Sequence, residues 1–460
     1  MIQKKTAEAV LAAAMKTGGD FAEIFLQDER SSALSMSFDR IEDAVTGRAH
    51  GAGIRVFKGL NSVYVYTNDA SLSGLLRAAE RAADAVGTGN ESRNVRLTGS
   101  YGRNIHAFRE LPMDVPGASK AELLRRASVA ARNVSPVIGQ VRASIADSDS
   151  EVLIANSEGL FTADRRVYTR IRIAAIASGG GENQTGVEAP GALMGYELFK
   201  TRVDVEEYAI RAAKRAVTML SAEACPAGRM PVVIDNGFGG VIFHEACGHS
   251  LEAAAVAFGN SEFCGKLGTQ IASPIVTAID DGTMENEWGS TNIDDEGTPT
   301  TRLTLIENGI LKNYMIDRLN ARRMNMPVTG SGRRQDYTFA PTSRMRNTFI
   351  APGNDENDEI IATCGDGLYA RSMGGGSVNP ITGEFNFAVS EGYLIRDGKI
   401  DRPVRGATLI GRGSEILKKI DRVGKDMRMA QGMCGASSGS VPTNVGQPMI
   451  RVTDITVGGR

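Results

Sequence analysis

The sequence predicts an α+β protein: an N-terminal α/β region with antiparallel strands and flanking helices, then a β-rich C-terminal domain carrying one histidine-bearing helix. Three observations predict it. Apolar periodicity of helical type is concentrated before residue 257, whereas beyond Ile271 short apolar runs alternate with Gly, Asn and Asp turns. The 53 glycines against 15 prolines are scattered and follow no period, which reads as many tight turns and not as linker or collagen. At roughly 150 residues per domain, 460 residues make two or three domains.

Taken in order, the N-terminal stretch reads as an amphipathic helix stopped by Gly18-Gly19. GIRVFKG and SVYVYT, separated by Leu60-Asn61, read as a hairpin. Asn68-Asp69 is placed as the cap of a helix over 70–86, and the polar stretch 87–100 as loop. A helix near 119–133 precedes alternating strands over 140–177, and SGGGENQTG reads as a turn or loop. The most regular helix spans 203–220. Ala224-Cys225-Pro226-Ala227-Gly228 then interrupts the pattern, dividing the chain into 1–222 (with a sub-split near 101–118) and 228–460. MPVVID reads as a buried strand, 238–257 as a helix, and 414–423 as a short helix capped by Ser414.

Composition narrows the function. With 52 Lys+Arg against 54 Asp+Glu the formal charge is −2, leaving no basic footprint for sequence-independent nucleic-acid binding. Glu8 interrupts the first apolar stretch, and no run is long enough to span a bilayer. Five cysteines without framework spacing read as free thiols in a reducing compartment, so a cytoplasmic location is expected.

Of four histidines, His50 and His106 have no companion acid or cysteine and read as surface or boundary residues. His244 and His249 fall together in FHEACGHSLEAAA. The zinc-protease helix H-E-x-x-H sets two imidazoles one turn apart on one face. Here the spacing is H-E-x-x-x-H, which on a regular helix separates the rings by about 140°. A π-type turn returns positions i and i+5 to one face, and Gly248 eases an irregular turn there. A catalytic Zn²⁺ takes three protein ligands and keeps one position open. Cys434, in the glycine-rich QGMCGASSGSVPTNVGQP, and Cys247, three residues after His244, both qualify as the third; spacing leaves the choice open. Glu245 is placed to carry a proton from water to a leaving amine. Glu252 is read either as orienting a ligand histidine or as a solvated helix residue. Arg333 and Arg334 are expected to face solvent, the other reading being a grip on a peptide carboxylate.

GFGGVIFHEACGHSLEAAA is similar to the metal-binding helix of the TldD/PmbA family of zinc-dependent proteases, TldD branch. IDDEGTPTTRLTLIENGILKNYMIDRLNARRMNMPVTGSGRR, TSRMRNTFIAPG, SEGYLIRDGKI, PVRGATLIGRG and CGASSGSVPTNVGQPMIRVTDITVGG resemble further segments of that branch in its order, and GGDFAEIFLQDE, GAGIRVFKG and TNDASL are weaker echoes. The resemblance implies an N-terminal α/β region and a β-rich domain carrying the metal. It implies His244, His249 and Cys434 as ligands of one Zn²⁺, with Glu245 as acid/base, which settles the third ligand against Cys247. It implies a peptide or unfolded-protein substrate and a dimer, either of this chain or with a PmbA/TldE-like paralogue lacking the histidine motif. Cys247, where a small apolar residue would serve, is a departure that adds a thiol. The glycine-rich strands of the second half suit a substrate held as an added β-strand. The alternatives are a non-catalytic peptide-binding subunit of a peptidase heterodimer, and a metal-dependent hydrolase of a non-peptide amide or ester.

Overall fold

The computed structural model describes residues 2–89, 94–99 and 104–459. The loop expected over 87–100 and the sub-split near 101–118 therefore lie partly outside the described residues. Helix α1 (Lys4–Ala14) buries Ala7, Val10, Leu11 and Ala14 at helical spacing. β1 (Phe21–Ser37), β2 (Arg40–Lys58) and β3 (Asn61–Thr67) form consecutive antiparallel hairpins. The expected hairpin is present, but its first strand is much longer than GIRVFKG. α2 (Leu72–Val86) begins two residues later than Asn68-Asp69 implies, because the Ser71 hydroxyl, not Asn68 or Asp69, accepts the Gly74 N–H. α3 (Gly117–Arg132) is followed by β4 (Ile138–Asn156), β5 (Phe161–Gly179) and β6 (Glu182–Glu188). SGGGENQTG is thus a hairpin rather than a loop: Gly180 and Gly181, both at positive φ, turn the chain so that β6 pairs with β5. α4 (Val205–Leu220) starts on Asp204, whose carboxylate accepts the N–H groups of Glu206 and Glu207.

These strands make one sheet of order β3-β2-β1-β4-β5-β6. Side chains alternate between its faces. Ala22, Ile24, Leu26, Ile54, Val56, Ile145, Ile171 and Ile173 point to the face covered by the four helices. Glu23, Phe25, Arg55, Val152 and Ile154 point to the other, which meets the second half of the chain.

The second half holds two larger sheets and a two-stranded ribbon that pairs Gly332–Arg333 with Thr342–Ser343. A closed ring is formed by β7 (Gly228–Ile234), β11 (Gly367–Val378), β12 (Glu384–Arg396), β13 (Thr408–Arg412) and β16 (Ile450–Gly458), since β11 pairs with both β7 and β12. The other sheet contains β8 (Ala278–Asp281), β9 (Arg302–Glu307), β10 (Asn347–Ile350), β14 (Arg428–Ala436) and β15 (Gly439–Gln447), and β14 is its last strand. The expected helix over 414–423 is only partly present. Gly413–Ile416 is one helical turn, and Ile420–Val423 leaves it to pair with β16, where burying Ile420 and Val423 outweighs local helical preference.

Arg333 and Arg334 do not face solvent: each is only 4% exposed. Glu23 of the first half pairs with Arg334, which donates to Glu23 Oε1 at 2.8 Å and to the Asp295 carbonyl at 2.7 Å. Arg55 bridges Glu23 and Glu296, and Arg166 bridges Asp164 and Asp295. Buried ions are tolerated only when paired and hydrogen-bonded, so this network fixes how the first sheet sits on the 294–296 loop. His106 is likewise buried, its Nδ1 accepting the Asn286 N–H at 3.1 Å, while His50 is exposed as expected.

One acid in the network keeps its proton. Burial and the neighbouring Glu296 charge push the Asp294 carboxyl up to about 8, against the N–H groups of Glu296, Thr298 and Gly332 that it accepts. The unfolded value is about 4, so the native state binds an extra proton between the two. Its stabilising contribution is complete at low pH and is lost as pH rises through about 8. The thermal midpoint of the protein is expected to fall between about pH 5 and pH 8, and more steeply than that of Asp294→Asn, which cannot titrate; parallel profiles would refute this.

Candidate metal centre

The segment expected as one helix is a chain of short irregular turns. A 3-10 turn (Gly237–Gly240) leads into an α-turn (Val241–Phe243), a π turn (His244–Gly248) and a second 3-10 turn (His249–Leu251). Glu252 then adopts an extended conformation before a last α-turn, Ala253–Val256. The π turn coincides with the HEACG sequence and brings His244 and His249 onto one face, with ring centroids 5.1 Å apart. Gly248 itself is ordinary helical backbone at φ −54°, so conformational freedom is not what it supplies there. It supplies space: a Cβ at this position would collide with Sδ of the fully buried Met345.

The helix also reaches the β14–β15 hairpin at backbone distance. A Cβ on Gly240 would lie 2.5 Å from the Gly446 backbone, so the missing side chain is what lets the two segments touch. This approach carries Cys434, on β14, to the histidines. Cys434 Sγ lies 3.3 Å from His244 Nε2 and 3.4 Å from His249 Nε2, and the three donor atoms lie within 4.8 Å of one another. Four-coordinate zinc, with nitrogen at 2.0–2.1 Å and sulfur near 2.3 Å, spaces such N and S donors by about 3.5 Å. The residues fit a metal ion.

Electrostatics agree with that fit. Burial resists ionisation of the Cys434 thiol, but the charges and hydrogen bonds of His244 and His249 outweigh it and bring the thiol down to about 3. A thiolate between two imidazoles is a ready soft–borderline donor set. His249 Nδ1 lies 3.1 Å from Glu252 Oε2, which fixes the ring so that Nε2 points inward. Glu252 is 6% exposed, so of its two sequence readings the solvated one is excluded. Glu245 stands on the more open side, with its side chain 22% exposed and Oε2 3.7 Å from His249 Nε2. Cys247 is fully buried in the hydrophobic core and takes no part in the cluster; burial, with the Glu262 charge, pushes its thiol up.

Two contributors were not singled out from sequence. Met345 donates its N–H to Glu252 Oε1 at 3.3 Å, and Arg344, fully buried, reaches the Cys434 carbonyl. Nothing in TSRMRN distinguishes a buried arginine from a solvated one.

Comparison with known proteins gives three consecutive matches. The PmbA/TldA metallopeptidase domain 1 matches residues 22–86, the central domain of the same family 110–220 and its C-terminal domain 227–459. A metalloprotease TldD homolog of Haemophilus influenzae is 37% identical over 452 residues, covering 96% of this chain and 93% of that protein. A metalloprotease of Methanothermobacter thermautotrophicus is 34% identical, covering 96% of each. The structure of TldE from Thermococcus kodakarensis superposes with a TM-score of 0.79 at 19% identity, covering 99% of this chain and all of the other, a likeness of fold. No helix among the described residues is long and apolar enough to cross a membrane.

Gly248→Val is expected to displace Met345 and, through its N–H, Glu252. The expected result is a loss of about 1–3 kcal/mol of stability and a lower metal content by elemental analysis. Unchanged metal content and thermal midpoint would show that the space at Gly248 is immaterial.

Proposed function

The chain belongs to the PmbA/TldD family of metallopeptidases, and from that premise we propose that it is a zinc-dependent peptidase that cleaves extended or unfolded peptides. The observation that carries the proposal is the convergence of His244 Nε2, His249 Nε2 and Cys434 Sγ beside the half-open Glu245. In this reading His244, His249 and Cys434 hold one Zn²⁺, the ion suited to a compact nitrogen and thiolate donor set. When bound, the ion supplies Lewis-acid polarisation of the scissile carbonyl and acidifies water. Glu245 removes the proton from the attacking water and returns it to the leaving amine. Glu252 holds the His249 ring through Nδ1. The reading also divides the chain into residues 1–222 and a catalytic domain of 228–460, places the protein in the cytoplasm, and pairs it with a second copy or a PmbA/TldE-like paralogue.

Substrate geometry follows from β14. This strand ends its sheet, and opposite Met433 its partner strand carries Pro442. Proline has no N–H, so the Met433–Pro442 pair is a non-hydrogen-bonded one and the Met433 N–H and C=O face away from β15. Met433 is 51% exposed and adjoins Cys434, so an extended peptide pairing with it would pass beside the metal-binding residues. Folded substrates cannot present such a strand.

Two experiments test this reading. Glu245→Gln should keep its metal while kcat/KM on an unfolded peptide falls by about 100-fold or more. Retention of cleavage would assign the proton to another carrier, and a native chain that binds metal but cleaves nothing would favour a binding subunit. Met433→Pro removes one outward N–H without touching the β14–β15 ladder, and should lower kcat/KM about tenfold at unchanged metal content. Full activity would exclude strand addition at this edge.

A further inference from the structure

We propose that Arg344 is a positioning residue of the metal centre: it locks the Cys434 hairpin and the Glu252–His249 pair into one arrangement, so that the three donors converge before any ion arrives. The inference rests on the reading of these residues as a metal site.

Arg344 has no exposed surface and touches both halves of the cluster. Its Nη1 donates to Ser438 Oγ at 3.0 Å and to the Gly439 carbonyl at 2.8 Å, and its Nη2 donates to the carbonyl of Cys434. These three acceptors are the cysteine residue itself and the tight turn joining β14 to β15. Among the described residues β14 is flanked by a strand on one side only, so the tip carrying Cys434 depends on such side-chain bonds for its pose. On its other edge the guanidinium acts as a charge: Nε is 3.9 Å from Glu252 Oε1, too far to hydrogen-bond. Glu252 is thereby kept beside a cation while Met345 N–H binds Oε1 and His249 Nδ1 meets Oε2.

Only arginine suits this place. Its planar fork offers separate donors along two directions and stays charged when buried, whereas lysine presents a point charge on one stem and cannot span both contacts. Without a cation there, Glu252 would be left buried beside an imidazole alone, and the Cys434 carbonyl would lose its extra donor. Arg344 touches neither the donor atoms nor the open side at Glu245, so it acts through Cys434 and Glu252.

The test is cobalt titration of the full metal-free chain and of Arg344→Lys and Arg344→Met, followed by the cobalt–thiolate absorption band and by competition with a chelator. Far-UV circular dichroism of each variant reports folding. In wild type the band is expected at one equivalent. In Arg344→Lys, which keeps the charge, affinity should drop about tenfold with a weakened band, and in Arg344→Met by about 100-fold, with secondary structure unchanged. Wild-type affinity and band in the lysine variant, which is the one most certain to fold, would overturn the proposal while leaving the metal site standing. A wild-type chain that gives no thiolate band would overturn the metal-site reading itself, and this inference with it.

Discussion

The structure turns on one extra residue in a single helical turn. With H-E-x-x-x-H on a regular α-helix the two imidazoles would diverge, and no placement of Cys434 would gather all three donors. The π turn at His244–Gly248 removes that conflict. An irregular turn has poorer intrinsic hydrogen bonding than an α-helix, so it must be held by its surroundings. Gly240 against Gly446, Gly248 against Met345, and Gly413 against the Ala246 carbonyl each let a neighbour press on the turn where any side chain would intervene. The glycines of the second half therefore do two things: they turn the strands, and they thin the packing around the candidate metal site.

A different constraint joins the two halves of the chain. The first sheet covers one face with helices in the ordinary apolar way, yet its other face offers Glu23 and Arg55 to the second half. Such ion pairs contribute little net stability over an apolar contact, but they are strict about geometry, because any misplacement strands a buried charge. The 294–296 loop that receives them is hydrogen-bonded to Gly332 and Arg334, and Arg333 of the same strand donates to the carbonyl of Met345. The first sheet is thus connected to the segment that braces Glu252, within a few covalent and hydrogen-bonded steps.

Much of this was legible in the sequence, and what was not has a common physical reason. Helices with regular apolar spacing, such as Val205–Leu220, and alternating strands, such as Phe161–Gly179, are read from local pattern because one face is buried and the other is not. The π turn was legible too, since it is the turn that brings histidines five residues apart to one face. Partnership across long sequence separations was not. Ile420–Val423 pairs with a strand near the C-terminus and so loses its helical reading. Arg333, Arg334 and Arg344 look like solvent-facing charges until the acids and carbonyls that receive them are placed, up to 311 residues away. His106 was missed on the same grounds, being buried by a distant segment, whereas the Ser71 cap is a local choice among neighbouring polar residues, two residues from the expected one.

The account stands or falls on one ion being held jointly by the bent helix and the β14–β15 hairpin. X-ray absorption at the zinc edge, on the chain loaded with one equivalent of zinc, tests that directly. The account predicts a four-coordinate spectrum with one sulfur shell at about 2.3 Å and nitrogen or oxygen at about 2.0–2.1 Å, the sulfur shell vanishing in Cys434→Ala and persisting in Cys247→Ala. A spectrum without sulfur, or one whose sulfur survives loss of Cys434, would contradict it.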